Sequence, residues 1–292
     1  MTMITHLEIS NLPFADPSIE FDGQLYALID NGGLPGLAKQ LDRTNARWIS
    51  LFAGSRDEGA LAVAPLLILI DGNQNPFQQQ AMLNWICEHG TFTSSILFMV
   101  SQLPMAELAC RLALRLDATL PDNIDIVLRY FDARVFEQLM VVLSKEQKTA
   151  FLSVADRWWF VDRRGKIQPV DAVFSEAEMH KVPLSLTVEQ EGMMLDASEP
   201  DQVAAFLRPA VPVEYANMAP ELRYDFIVRH MGAARMLGIY ATHELALYCL
   251  MALLHGEKFS IQAPWATVLG EVKSGKSDFT LAVAQMEFND VQ

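Results

Sequence analysis

The sequence predicts an α/β (α+β) N-terminal lobe, built on a mixed sheet with flanking helices, followed by an all-α C-terminal lobe. Two observations carry this. Short apolar runs alternate with amphipathic segments over the first half of the chain, the pattern of layered strands and helices. Beyond about residue 198 the apolar residues recur at helical spacing and strand signals are sparse.

The first strand is Leu25–Ile29 (LYALI), closed by the turn residues Asp30-Asn31-Gly32-Gly33. Helical spacing follows over 34–46, then a strand at Trp48–Phe52 (WISLF). Leu61–Ile70 (LAVAPLLILI) reads as a buried strand in which Pro65, lacking an N–H, marks an edge or bulge. A helix over 76–88, a strand over 95–100 and a helix over 105–116 come next. In that helix Met105, Leu108, Leu112 and Leu116 share one face, and Arg111 and Arg115 lie off it. Ile124–Tyr130 is strand-like and 133–143 helical, and Ser144-Lys145-Glu146-Gln147 spells a capping box. Trp158–Val161 and Ile167–Val170 flank a hairpin turn at 162–165. Residues 171–197 have weak periodicity and read as a connector between an α/β domain (1–170) and a helical lobe (198–292). Ser198-Glu199-Pro200-Asp201 is the expected start of that lobe's first helix. Further helices are expected over 220–236, over 242–255 with Thr242 as N-cap, and over 279–286.

Composition excludes several function classes. The 292 residues carry a formal net charge of -14, which argues against a nucleic-acid or anionic-membrane surface. Cys87, Cys110 and Cys249 are an odd number, widely spaced among apolar neighbours, and read as buried thiols of a reducing compartment. MTMITHLEIS has no basic stretch followed by an apolar one, and no apolar run is long enough for a bilayer, so a cytoplasmic protein is expected.

Candidate chemistry is thin. Gly270–Ser277 (GEVKSGKS) fits the phosphate-loop pattern G-x-x-x-x-G-K-[ST], with Gly270, Gly275, Lys276 and Ser277 as its nucleotide-binding positions. Such a loop must leave a buried strand and enter a helix, yet only Ala266–Leu269 could supply the strand and only 15 residues follow Ser277. A solvent-exposed loop between two helices is the favoured reading, and nucleotide binding is the alternative. His243-Glu244 lacks the second histidine of a zinc helix because Leu247 stands there. His180 beside Glu176 and Glu178 reads as an exposed charged cluster. No catalytic residue, metal or cofactor is indicated. More telling is Arg129-Tyr130-Phe131-Asp132-Ala133-Arg134. It sets Asp132 at a helix N-cap between two arginines that can pair with it or with Asp30, as an internal clamp or a partner contact.

RYFDAR resembles the R-[FY]-[FYW]-D-P-R signature of the chaperones, or adaptors, of type VI secretion effectors. LYALIDNGG, WISLFAG, LAVAPLLILI and FLSVADRWWFVDRRGK resemble other conserved pieces of that family, in the same order, over about residues 24–166. Ala133 stands where the family usually has proline, a tolerable change because proline at the first helical position only pre-organises the start. The resemblance implies a bacterial, non-enzymatic carrier in the cytoplasm that binds a secreted effector (a toxin) and helps load it onto the VgrG spike. It also implies a C-terminal lobe adapted to one cargo. Met218, Met231, Met236 and Met251 are the candidate cargo-binding residues there, since methionine adapts to irregular surfaces; core packing is the competing reading for each.

Overall fold

Gln24–Asp30 (β1) runs through the middle of a six-stranded sheet because it is apolar on both sides. The remaining strands are β2 (Trp48–Ser50), β3 (Pro65–Ile70), β4 (Ile96–Ser101), β5 (Asp117–Thr119), β6 (Asp125–Val127), β7 (Arg157–Val161), β8 (Ile167–Asp171) and β9 (Leu184–Ser185). The large sheet has the order β2-β3-β1-β4-β7-β8 and every neighbouring pair in it is antiparallel. A small sheet, β6-β5-β9, holds the parallel pair, β5 with β9. The computed structural model describes residues 6–15, 22–70 and 75–290. One unit ends at Asp196 and a second begins at Ala197.

Helices cover both faces of the large sheet, which is why its central strands β1, β3 and β4 are apolar runs without alternation. Ala27, Ile29, Ile68 and Phe98 pack with α1 (Leu37–Arg43) and α2 (Pro76–Gly90). Tyr26, Leu28, Leu67, Met99 and Trp158 face the opposite way. They pack with α3 (Met105–Leu114), α4 (Ala133–Val142) and α5 (Lys145–Leu152). Phe136 of α4 stacks on Trp158 with ring centroids 5.4 Å apart, joining helix to sheet. The capping box of α5 forms as its sequence dictates: Gln147 N–H donates to Ser144 Oγ at 3.2 Å, and Ser144 N–H donates to Gln147 Oε1 at 3.0 Å.

The second unit is helical: the rest of α6 (Val188–Ala210), α7 (Pro212–Asn217), α8 (Pro220–Arg235), α9 (Thr242–His255), α10 (Trp265–Lys273) and α11 (Phe279–Asp290). Prolines at the first positions of α7 and α8 cost no hydrogen bond there. Its core gathers Phe226, Ile227, Met231, Leu245, Met251 and Trp265 around Tyr248, whose ring lies 5.0 Å from Phe259 and 6.1 Å from Phe279.

Several local expectations are corrected. Pro65 opens β3, an interior strand, and Leu61 and Val63 before it are exposed in a short 3-10 helix (Glu58–Val63). A proline at the first residue of a strand needs neither an edge nor a bulge. No helix starts at Ser198. α6 is already running, capped by Thr187 and Gln190, whose side chains accept each other's backbone N–H at 3.2 and 3.0 Å, and Pro200 lies within it. Thr242 is the first residue of α9, not its cap, and its hydroxyl donates to Glu199 at 2.9 Å. Cys110 is exposed; Cys87 and Cys249 are buried, and burial pushes their thiols up to about 11 and about 12. Among the described residues no helix is long and apolar enough to cross a membrane.

Candidate functional site

The RYFDAR segment joins the small sheet to α4 and meets the end of β1. Asp132 caps α4: its Oδ1 accepts the Arg134 backbone N–H at 2.9 Å and Arg134 Nε at 3.0 Å, and its Oδ2 accepts an Arg134 guanidinium N–H at 2.6 Å. Arg129 reaches the other way, to Asp30 Oδ2 at 2.8 Å, and its guanidinium lies 5.2 Å from the centre of the Phe131 ring. Two loop residues fasten the arrangement. Asp30 N–H donates to the Ser95 carbonyl at 3.0 Å, and Ala133 N–H donates to that of Ser94 at 2.7 Å. Gly33 packs close to the same loop: a Cβ there would lie 2.2 Å from Ser95 Oγ, which would have to turn away.

Asp30 and Asp132 are buried, whereas the Arg129 and Arg134 side chains are 50% and 42% exposed. Burial pushes the Asp30 carboxyl up, while Arg129 and the Gly32 and Gly33 amides pull it back. The four residues singled out by the motif thus form two carboxylate–arginine pairs, with the carboxylates inward and the guanidinium groups outward.

A second buried charge was not legible. Arg115, off the apolar face of α3, is fully buried at the end of that helix. It donates to both Glu178 oxygens at 3.1 and 2.9 Å and to the carbonyls of Phe151, Arg111 and Ala150. Burial pushes Glu178 up, but the hydrogen bonds from Arg115 and the His180 amide outweigh it and the net shift is downward. His180 is likewise buried, not part of an exposed cluster. Its ring sits edge-on to Phe151 at 5.6 Å, and burial holds its imidazole down at about 4, with Arg115 adding and Glu178 opposing. The signal available was the position of Arg115, one turn beyond Arg111 at the end of an amphipathic helix.

In the helical unit the four methionines part company. Met231 and Met251 are core residues, and Met236 is 79% exposed. Met218 lines a groove of about 330 Å³ with Leu222, Phe226, Ala252 and Leu253, beside the exposed Arg229–Glu257 pair at 2.8 Å.

GEVKSGKS has the geometry opposite to a phosphate loop. Gly270 lies inside α10, and the segment ends that helix instead of opening one. Gly275, at φ +72°, donates its N–H to the Val272 carbonyl at 2.9 Å, and Lys276 N–H donates to that of Glu271 at 3.0 Å. This is the paired Schellman closure of a helix C-terminus. The amides of Gly275 and Lys276 are spent on helix carbonyls, and the dipole end beside them repels anions. Ala266–Leu269 is helix, not strand. Gly270, Gly275, Lys276 and Ser277 therefore do not form a nucleotide cradle. Among the described residues there is also no group of three or more His, Cys, Asp or Glu placed to hold a metal.

Residues 25–150 match the family described as Domain of unknown function (DUF4123), which is the domain of type VI secretion effector chaperones and adaptors. The match covers β1–β6 and α1–α4 with most of α5, including Asp30, Arg129, Asp132 and Arg134. No curated protein and no solved structure matches the chain.

Proposed function

We propose that this chain is a non-enzymatic chaperone/adaptor that binds one secreted effector of a type VI secretion system and helps load it onto the VgrG spike from the cytoplasm. The observation that carries the reading is the family match over residues 25–150, which covers the charged junction. The α/β unit is the common scaffold of such a carrier. The helical unit, outside the match, is the part free to vary with cargo, and its groove beside Met218 offers an apolar floor for a bound segment. Binding is stoichiometric and needs neither metal nor cofactor.

Deletion of the gene in its native bacterium tests this. The expected result is loss of export of a single toxin while other substrates of the same machine still leave the cell, with rescue by the plasmid-borne chain. Unchanged export of every type VI substrate contradicts the proposal.

A further inference from the structure

A cavity of about 230 Å³ opens between α5 and the segment that leads into β9. Its walls are apolar, with Ala150 of α5 on one side and Met179, Pro183 and Leu184 on the other. Gln147 ties the two sides together. Its Nε2 donates to the Ser185 carbonyl at 3.0 Å, and its Oε1 accepts Gln190 Nε2 at 2.7 Å. His180 and Leu184 are the buried residues of the lining and form its floor, and the others are half-buried or exposed.

That floor has one hydrogen bond unmade. His180 is 7% exposed, and its Nε2 is closed to water with no partner among the described residues. A buried polar atom of this kind is unfavourable until something supplies the bond. Burial holds the imidazole down at about 4, with Arg115 adding, so near pH 7 the ring is neutral. It offers one N–H and one lone pair, not an ionic contact. The χ2 torsion of histidine is broad and roughly two-fold, so a half-turn of the ring can bring a nitrogen to the cavity side.

The occupant that answers these features has an apolar body and a neutral tip that both donates and accepts. A dry apolar cavity of about 150 Å³ takes a benzene ring, so this one has room for a phenol. Glu146 and Lys181 at the exposed rim are of opposite sign, and at the imidazole Arg115 outweighs Glu178, which disfavours a cation. Among protein side chains tyrosine fits. Phenylalanine leaves Nε2 unmet, the tryptophan N–H can only donate, and serine or threonine is too short to cover the walls.

We propose that this cavity takes the side chain of a tyrosine in a partner segment, with its ring against Ala150, Met179, Pro183 and Leu184 and its hydroxyl bonded to the His180 imidazole. That the partner is a protein rests on the adaptor reading. Neither spike nor toxin enters the test, so either can fail without the other.

The test is saturation-transfer NMR of the full chain, titrated with N-acetyltyrosine amide and separately with N-acetylphenylalanine amide. The expected result is saturable binding of the tyrosine amide, about fivefold tighter than the phenylalanine amide, as one hydrogen bond to a buried group supplies. His180→Phe keeps a ring edge-on to Phe151 and should bring the two affinities level. Met179→Trp, at a rim residue 48% exposed, fills the mouth and should weaken both amides severalfold. No saturable binding of the tyrosine amide overturns the proposal, as does equal affinity of the wild type for the two amides. So does a tyrosine preference that survives His180→Phe, or tyrosine-amide binding that Met179→Trp leaves unchanged. The wild-type comparison and Met179→Trp decide the matter even where His180→Phe does not fold.

Discussion

The two units of this chain hold themselves together by different means. Up to Asp196, charged side chains are built into the interior: Arg115 with Glu178, and the buried Asp30, Asp132 and Asp162 with their donors. From Ala197 onward His230 is the single buried polar residue among those described, and ion pairs such as Arg229–Glu257 lie at the surface. A buried pair whose bonds are all made specifies one arrangement and tolerates no missing partner. An apolar helical core, here of aliphatic and aromatic side chains with Met231 and Met251 among them, accepts repacking as long as volume is kept. That division suits a fixed scaffold joined to a part that changes with cargo.

The comparison is easiest to break at Arg115. Arg115→Ala leaves Glu178 and three carbonyls without their donor and should cost about 3–5 kcal/mol in urea unfolding of the α/β unit. A cost below 1 kcal/mol would mean the buried pair does not specify the fold. In the helical unit Met231→Ala should cost about 2–5 kcal/mol, but Met231→Leu less than about 1.5 kcal/mol. If Met231→Leu costs as much as Met231→Ala, that core is not adaptable.

Smaller effects sharpen the contrast. Asp132→Ala removes the cap of α4 and the anchor of Arg134, and should lower stability by about 0.5–2 kcal/mol. His180 titrates at about 4 in the folded chain, below the ordinary value of 6.5. The unfolded chain therefore takes up the proton first as pH falls, and stability is lost between pH 6.5 and about 4. Unfolding midpoints across that window should fall more steeply in the wild type than in His180→Phe; parallel profiles would remove His180 as the cause. The smallest effect is at Lys276→Ala, expected within about 0.5 kcal/mol of wild type as a surface change. ATP or GTP with magnesium should shift the melting temperature of neither protein, and a shift lost in the variant would restore the nucleotide reading.

Much of the α/β unit could be read from sequence because its signals are local. The capping box at Ser144, the hairpin around Gly165 and the cap at Asp132 each need only a few neighbouring residues, and each formed. What escaped depends on distant partners. Arg115 is buried because Glu178 and the carbonyls of α5 converge on it from residues more than 30 positions away. The strands of the small sheet, two or three residues long, carry too little pattern to announce themselves. Other misses were errors of weighting. Thr187-Val188-Glu189-Gln190 spelled the true start of α6, yet Pro200 drew the boundary to itself. In GEVKSGKS the glycine that suits a phosphate loop also suits a helix C-terminus, and only the direction of its amides distinguishes the two. At the junction, sequence offered Asp132 and Asp30 as rival partners for the arginines; the structure assigns Asp30 to Arg129 and Asp132 to Arg134.

The central claim, that this chain carries a secreted effector to a spike, is tested most directly by affinity capture. The full-length tagged chain is recovered from its native bacterium under conditions in which the secretion machine is expressed, and its partners are quantified by mass spectrometry. One toxin and one VgrG spike protein, each near stoichiometric with the chain, is the predicted result. Recovery of the chain alone while the toxin is being made would contradict it.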